Sequence, residues 1–545
     1  MGNTAGGGGL PFDVGEEIMS YSRSSQGHWK MHKGVKRANG ETVSIFRLAK
    51  KGTSPLAVEA GQRGFQKLRS LRHPYILACL DGAELDTDVV MATEEVVPLG
   101  DWLATRIEAG KKDDQIAWGM HCMCAALKFL HESCKQSHNN VCADTIFVTR
   151  GGDWKLGGMD LLSALDGSDN FLQIHQSIQV CAIGFVVCPE RLQGSMHTLA
   201  NLPLHIQDIW SLGRVLQVAY PEGTPPSLSK YVEKMMDARP ERRPTPSQYL
   251  RCAFLKRPAV QHLQQLEDWS VASAEEKGTF LRGGTAIAAC PRDALRHKLS
   301  ALLLRDIEMA MAAAAAAPGG GGGAGGTRAV VATALPPLLD IEREAADAAL
   351  SARVQPLLVA LFTMNDRGVR AMLLSKVDAI APRLDAATVN ARLFDPLCAG
   401  FTDAAAQLRE LTLKSMVVFT DKLSDKNMND KLIRHLARLQ GDPEDSIRTN
   451  TIIFLGKIAG KLKPAVRDKV LLPAFARGIR DPFPAARLAG LRATAACAAY
   501  CEPMDVCTRV LPVVMPCLVD QASHAVREAA FACVELYLAK VRRCF

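Results

Sequence analysis

Between His138 and Asp160 the chain reads HNNVCADTIFVTRGGDWKLGGMD, a stretch dense in polar side chains. A histidine (His138), an amide two residues on (Asn140), a hydroxyl (Thr145) and the turn Gly158-Met159-Asp160 surround two short β-rich runs. The runs are Thr145-Ile146-Phe147-Val148 and Trp154-Lys155-Leu156, joined through Arg150-Gly151-Gly152-Asp153 as a hairpin. A loop of this outline could hold a proton acceptor beside a divalent cation, the equipment of phosphoryl transfer. The residue types do not supply that chemistry. Asn140 is uncharged and not basic at neutral pH. Thr145 is a weak ligand for a hard cation that prefers charged oxygens, and Gly158 offers no ligand.

The skeleton resembles the catalytic loop of protein kinases, H-R-D-L-x-x-x-N, followed by a hairpin and D-F-G. On that pattern His138 matches, Asn139 replaces the Arg, Asn140 the catalytic Asp and Thr145 the metal-binding Asn; Gly158-Met159-Asp160 stands for D-F-G. The hairpin length sets the register and leaves Asp160 off the metal position.

The elements that must position this loop follow the same pattern. Residues 10–55 read as the first strands of a small lobe. Their phosphate-covering turn is reduced to Ser22-Arg23-Ser24-Ser25-Gln26-Gly27-His28, with a single Gly. Val43-Ser44-Ile45-Phe46 resembles V-A-I-K with Phe46 at the Lys position; Lys50 and Lys51 lie beyond the strand. Leu56 to Leu71 reads as a helix whose second half has no acid, Glu59 standing too early to pair with such a Lys. Leu71 to Leu77 reads as a turn, Val89 to Glu95 as the strand before a hinge, Pro98-Leu99-Gly100 as the large-lobe entry, and Gln115 to His131 as a long apolar helix. Cys188-Pro189-Glu190 resembles A-P-E, Asp208-Ile209-Trp210-Ser211-Leu212-Gly213 resembles D-x-W-S-x-G, and Arg243-Pro244-Thr245 resembles R-P-T. Kinases pair the Arg of the last motif with the Glu of the first, which implies a buried Glu190–Arg243 pair. Structural signatures stay while chemical ones go.

The totals suit a soluble multidomain protein of 545 residues with 48% apolar and 22% charged residues. A net charge of +8 is compatible with RNA, acidic lipids or acidic peptides and demands none of them. Sixteen Cys lie scattered, which reads as reduced thiols in a cytosolic compartment. His121-Cys122-Met123-Cys124 falls in a helical pattern and reads as core rather than metal site. No apolar run reaches membrane-spanning length. MGNTAGGGG lacks a signal-peptide core and, with Gly at position 6, misses the myristoylation pattern; it reads as a flexible leader.

From about residue 285 the composition turns to Ala, Leu, Val and Arg with helical periodicity. Asp366, Asp403, Asp442, Asp481 and Asp520 recur at 37, 39, 39 and 39 residues; Arg370, Arg409, Arg448, Arg487 and Arg527 recur at 39, 39, 39 and 40. A period near 40 with two helices per unit resembles HEAT repeats. Each Asp is suited to cap the next helix and to pair with the Arg of an adjacent unit, an architectural role. Ala312 to Gly326 reads as a mobile Gly/Ala-rich loop. The stop at Phe545 without a polar capping unit is compatible with a truncated end. The expected fold is thus an α+β protein-kinase-like two-lobed domain followed by an all-α HEAT-repeat solenoid. Its segments are a leader 1–9, a pseudokinase domain 10–260, a linker 261–284 and repeats 285–545 holding the loop 312–326.

HNNVC, WKLGG, VSIF, LRHPYIL and VVPLG, ahead of a HEAT-like half, together resemble the Scy-like pseudokinases, also called N-terminal kinase-like proteins. That resemblance implies a non-catalytic scaffold without cofactor, cytoplasmic and peripheral at Golgi and ER–Golgi membranes, acting in Golgi-to-ER vesicle traffic through the coatomer (COPI) coat. Some relatives assist nuclear export of tRNA. The family's coatomer contact is a C-terminal signal of two basic residues followed by two arbitrary ones, and Arg542-Arg543-Cys544-Phe545 has that form. The family places it after a long flexible tail, whereas here it follows a helix directly. Two other readings stand beside the scaffold: a tRNA adaptor with a concave basic repeat face, and a nucleotide-sensing residual kinase, against which Phe46, Asn140 and Gly158 speak.

Overall fold

The computed structural model describes residues 11–20, 29–168, 188–193, 200, 202–316 and 324–544. The leader 1–9 and the turn Ser22 to His28 lie outside the described residues, as does most of the stretch between Asp160 and Pro189. The chain divides into two compact units between Leu302 and Leu303.

In the first unit, strands β1 (Phe12–Ser20), β2 (Trp29–Lys36), β3 (Thr42–Ala49), β4 (Cys79–Glu84) and β5 (Asp88–Thr93) form one antiparallel sheet, ordered β1-β2-β3-β5-β4. The two-residue period of β3 puts Val43 and Ile45 on one face, packed with Phe12, Val90 and Ala92. Ser44, Phe46 and Leu48 fall on the other. Helix α1 (Pro55–Ser70) follows, started by Ser54, whose hydroxyl accepts from the Ala57 amide. The second sheet is β6 (Val96–Pro98), β7 (Ile146–Thr149) and β8 (Trp154–Leu156), with Phe147 opposite Lys155. Below it run α2 (Lys112–Lys128), buried along most of its length, and α3 (His205–Ala219).

Two boundaries differ from the sequence reading. Residues 261–284, expected as linker, are largely helical: α4 (Pro258–Glu267) and α5 (Ala274–Arg282) bury Leu263, Leu266 and Phe280, and Trp269 is buried in the turn between them. Trp269 meets Phe280 edge-on at 5.6 Å, and a capping box between Ser273 and Glu276 starts α5. Apolar burial on both helices explains why the segment is not an extended tether. Part of the loop expected over 312–326 is helix instead: Ala312 to Ala316 complete one (Ser300–Ala316) and Ala324 opens another (Ala324–Ala345). Alanine is the strongest helix former, so the run extends helix rather than ending it. Residues 317–323 lie outside the described residues.

The second unit is all-α and stacks helix pairs: Ala348–Thr363 with Arg367–Ser375, then a second pair ending in Ala406–Phe419. In the third pair residues 427–439 precede Asp445–Ile458, and in the fourth Pro464–Ile479 precedes Pro484–Ala496. In the fifth, residues 503–519 precede His524–Cys544. Among the described residues no helix is long and apolar enough to cross a membrane.

Candidate functional site

The loop around His138 is held by one buried carboxylate. Asp208, on α3, accepts from His131 Nε2 at 2.8 Å, Ser137 Oγ at 3.1 Å and the amides of His138 and Asn139 at 2.7 and 2.8 Å. Burial alone would raise Asp208; the bonds and charge of His131 with the His138 amide hold it below the usual carboxylate range. His138 donates from Nε2 to Gly157 O at 2.8 Å, while its Nδ1 accepts from the Asn140 amide. Burial keeps this ring neutral by lowering its pKa. Asn139, with φ of 63°, donates its side-chain amide to Ser137 O, Leu161 O and Ser163 Oγ. A kinase-like loop is therefore fully built, tied to α3 and to the turn after β8.

The reacting positions within that frame are closed. Phe46 is 1% exposed, and its ring stands edge-on to Phe147, centroids 5.1 Å apart and planes at 79°. An aromatic pair thus joins β3 to β7 where a kinase would place its phosphate-binding Lys above the loop. Lys50 and Lys51 sit past the end of β3, and Glu59 pairs with Arg63 on α1 at 3.1 Å, so none of them substitutes. The Thr145 hydroxyl donates to Asn140 O at 2.7 Å and accepts from the Cys142 amide at 3.1 Å, which commits it to the loop. Gly158 has φ of 63°, and a Cβ there would lie 2.5 Å from Thr145 Cγ2. The Thr145 methyl fills the space that a metal-binding carboxylate at 158 would need. Met159 is buried.

Asp160 turns away from the metal position. Its Oδ2 accepts from Trp29 Nε1 at 3.3 Å, and a Cβ at Gly64 of α1 would come within 2.0 Å of Oδ1. Burial pushes its pKa up to about 7, opposed by the Trp29 bond and the Arg63 charge. Among the described residues no three His, Cys, Asp or Glu side chains gather as a metal site.

Glu190 meets Arg243 in a two-bond pair at 2.6 and 3.0 Å, with Arg243 also donating to Asp237 O and Ile206 O. Burial raises and the Arg243 bond lowers Glu190, with a net fall. The sequence reading missed two further features. Phe147 is the second half of the plug, and its signal is an aromatic ring two residues past Thr145. Lys298 reaches Asp153 in the hairpin turn at 2.5 Å, pairs with Glu267 and lies 5.0 Å over the Trp118 ring; Trp118 Nε1 also donates to Asp153 at 2.8 Å.

In the repeats, Arg409 clasps Asp442 at 2.7 and 2.8 Å, Arg448 clasps Asp481 at 2.7 and 3.0 Å, and Arg487 clasps Asp520 at 2.7 and 3.0 Å. Each Arg also donates Nη1 to the carbonyl of the Asp in its own turn. The ends differ: Asp403 takes Arg367 at 3.2 Å, and Arg527 bonds only Asp520 O at 2.7 Å among its described contacts. Asp366 caps its helix through the Val369 amide at 2.8 Å. A second ladder escaped notice: Arg383, Lys422 and Lys540 donate to carbonyls of the preceding unit and Lys461 to the Thr420 hydroxyl, Tyr500 breaking the series. Arg542 and Arg543 are exposed in the last turn of His524–Cys544.

No family profile matches the chain. It is 27% identical over 98% of its length to "Probable inactive serine/threonine-protein kinase scy1" of Dictyostelium discoideum, and spans 64% of that protein. It is 24% identical over 71% of its length to "Protein-associating with the carboxyl-terminal domain of ezrin" of Mus musculus, covering 51% of it. Among solved structures, the crystal structure of Cex1p superposes with a TM-score of 0.70 at 21% identity, over 98% of this chain and 97% of that one. That likeness gives the fold: a kinase-like domain followed by helical repeats.

Proposed function

The chain belongs to the Scy-like pseudokinases and is not an enzyme, and from that premise we propose that this inactive kinase-like scaffold serves Golgi-to-ER traffic by binding coatomer. The observation that carries the reading is Arg542 and Arg543, exposed in the final turn of His524–Cys544 and of the two-basic form that the resemblance associates with coatomer contact. Partner contact through surfaces suits a fold whose cleft is plugged by Phe46 and Phe147. A helical-repeat unit adds an extended surface of the kind that spreads contacts over many side chains. On this reading the protein is cytoplasmic and peripheral at Golgi membranes, held there by its partners. The name of the mouse relative, which associates with ezrin, is in keeping with a protein-binding role.

The test is capture of purified coatomer by the full chain and by an Arg542→Ser/Arg543→Ser variant. Capture by the parent and its loss in the variant are expected. Capture by neither ends the coatomer reading, and equal capture moves the contact elsewhere on the surface.

A second reading, the tRNA-export adaptor, draws on the net charge of +8. Arg409, Arg448 and Arg487 are already bonded within the ladder, so RNA would have to use other cations. Electrostatic binding should then fall steeply with salt; a flat salt response or no binding removes this reading.

A further inference from the structure

The first helices of the third and fourth pairs carry an excess of positive charge. Residues 427–440 and 464–480 hold seven Lys and Arg against two Asp. The two helices are neighbours, since Arg477 Nε donates to Gln440 Oε1 at 2.9 Å and Gln440 donates to Ala474 O at 3.1 Å. Arg434, Arg438, Arg477 and Arg480 are exposed along this contact. Arg434 pairs with Asp430, Arg477 with the neutral Gln440, and Arg438 and Arg480 meet no acid among the described residues. Arg438, Arg477 and Arg480 differ from Arg409, Arg448 and Arg487, which the Asp of the next turn neutralise.

The first helix of the fifth pair lies next to that of the fourth. Cys517 Sγ lies 3.9 Å from Ile479 O, which sets the end of 503–519 beside the end of Pro464–Ile479. Residues 503–519 carry one Arg and one Asp, and these pair with each other at 3.0 Å. Toward its end this segment exposes apolar side chains, Met515 at 50% and Val519 at 76%. A cationic strip on two helices is therefore neighboured by an exposed apolar helix end on the third.

We infer that this strip docks a short acidic segment of a partner protein, carrying one bulky apolar residue at one end. Charge complementarity fixes the acidic part, and Met515 with Val519 fix the apolar anchor. Protein surfaces that bind nucleic acid are strongly polar and positive, which the apolar end does not match. Helix axes about 8–10 Å apart across three helices give roughly 20 Å. At about 3.3 Å per residue an extended segment of about six residues covers that span. The inference rests on the scaffold reading and names the chemistry of a partner, in a place separate from Arg542 and Arg543.

The experiment uses the full chain and fluorescence anisotropy of a labelled peptide of six acidic residues ending in Leu-Phe. A second peptide without Leu-Phe and an RNA hairpin serve as alternative probes. The charge-reversed variant Arg438→Glu/Arg477→Glu/Arg480→Glu should bind the first peptide at least tenfold more weakly, at unchanged melting temperature. Val519→Asp should weaken the Leu-Phe peptide alone and leave the shorter one as it was. Binding indifferent to both variants overturns the inference, as does an RNA hairpin that binds while neither peptide does. Coatomer capture by the charge-reversed chain separates the two proposals: capture kept without peptide binding leaves the scaffold reading standing and this inference refuted.

Discussion

The Phe46 ring meets Phe147 edge-on with centroids 5.1 Å apart, so β3 and β7 are joined by hydrocarbon where a kinase holds a cation over phosphate. The pair is a packing feature first. Edge-to-face rings add about 0.5–1.5 kcal/mol beyond their area, and a buried Phe cut to Ala costs about 3–5 kcal/mol. Phe46→Ala should therefore lower stability by that amount in denaturant unfolding. ATP with Mg²⁺ should leave the parent melting temperature unchanged, because a ligand that does not bind the folded state cannot raise it. A rise of several degrees with ATP would show that the plug opens. Phe46→Lys should remain inactive in a phosphotransfer assay, since Asn140 and Gly158 still lack a base and a metal ligand.

Asp160 should give the protein an unusual loss of stability toward neutral pH. In the unfolded chain its carboxyl ionises near pH 4, whereas in the folded protein burial raises the pKa to about 7. Between these values the folded state holds a proton that the unfolded state has released. Stability from this group therefore falls as pH rises through that window, and the penalty is complete above it. Asp160→Asn keeps an acceptor for Trp29 and removes the ionisation. We expect a gain of about 2–4 kcal/mol at pH 8 and little change at pH 4, measured by urea unfolding. A uniform loss across pH would mean that Asp160 is ionised and paired in the fold.

Much of the first unit was legible because its landmarks are polar residues fixed by one partner each. Glu190 and Arg243 carry motif positions, and Asp208 collects a loop whose His138 stands in sequence where expected. Phe147 was less legible, since an alternating strand does not say which face looks into the cleft. Residues 261–284 misled because Asp268, Gly283 and Gly284 punctuate two short helices whose burial of Trp269 and Phe280 is tertiary. The Arg–Asp rungs could be expected from a period of 39, while the second ladder mixes Arg, Lys and Tyr and hides its register.

The Lys298–Asp153 contact should behave as a buried pair. Both side chains are mostly covered, at 14% and 13% exposure, and Lys298 has Trp118 beneath it. Burial lowers the Lys298 pKa, but Asp153 and Glu267 outweigh it, so the amine stays charged. Lys298→Met leaves Asp153 buried beside Trp118 without a counter-charge. Removing one member of such a pair costs about 3–5 kcal/mol, whereas replacing both by apolar residues is far milder. We therefore expect Lys298→Met to destabilise strongly and Lys298→Met with Asp153→Leu to recover part of the loss. Equal losses in the single and double variants would show that packing, not charge, is at stake.

The repeat ladder should act as a series of couplings between neighbours. Arg448 holds Asp481 through two bonds while closing its own turn at Asp442 O, so one side chain fixes both the turn and the next unit. In a solenoid, stability is close to a sum of unit terms and nearest-neighbour interface terms. Loss of one rung should therefore weaken one interface and broaden the unfolding transition rather than merely shift it. A double-mutant cycle with Arg448→Ala and Asp481→Ala should give a coupling of about 1–3 kcal/mol. The same cycle between Arg409 and Asp481, which share no bond, should give a coupling near zero. Equal couplings in the two cycles would mean that the effect spreads through the whole stack, and the rungs would then not be the local contacts that set unit against unit.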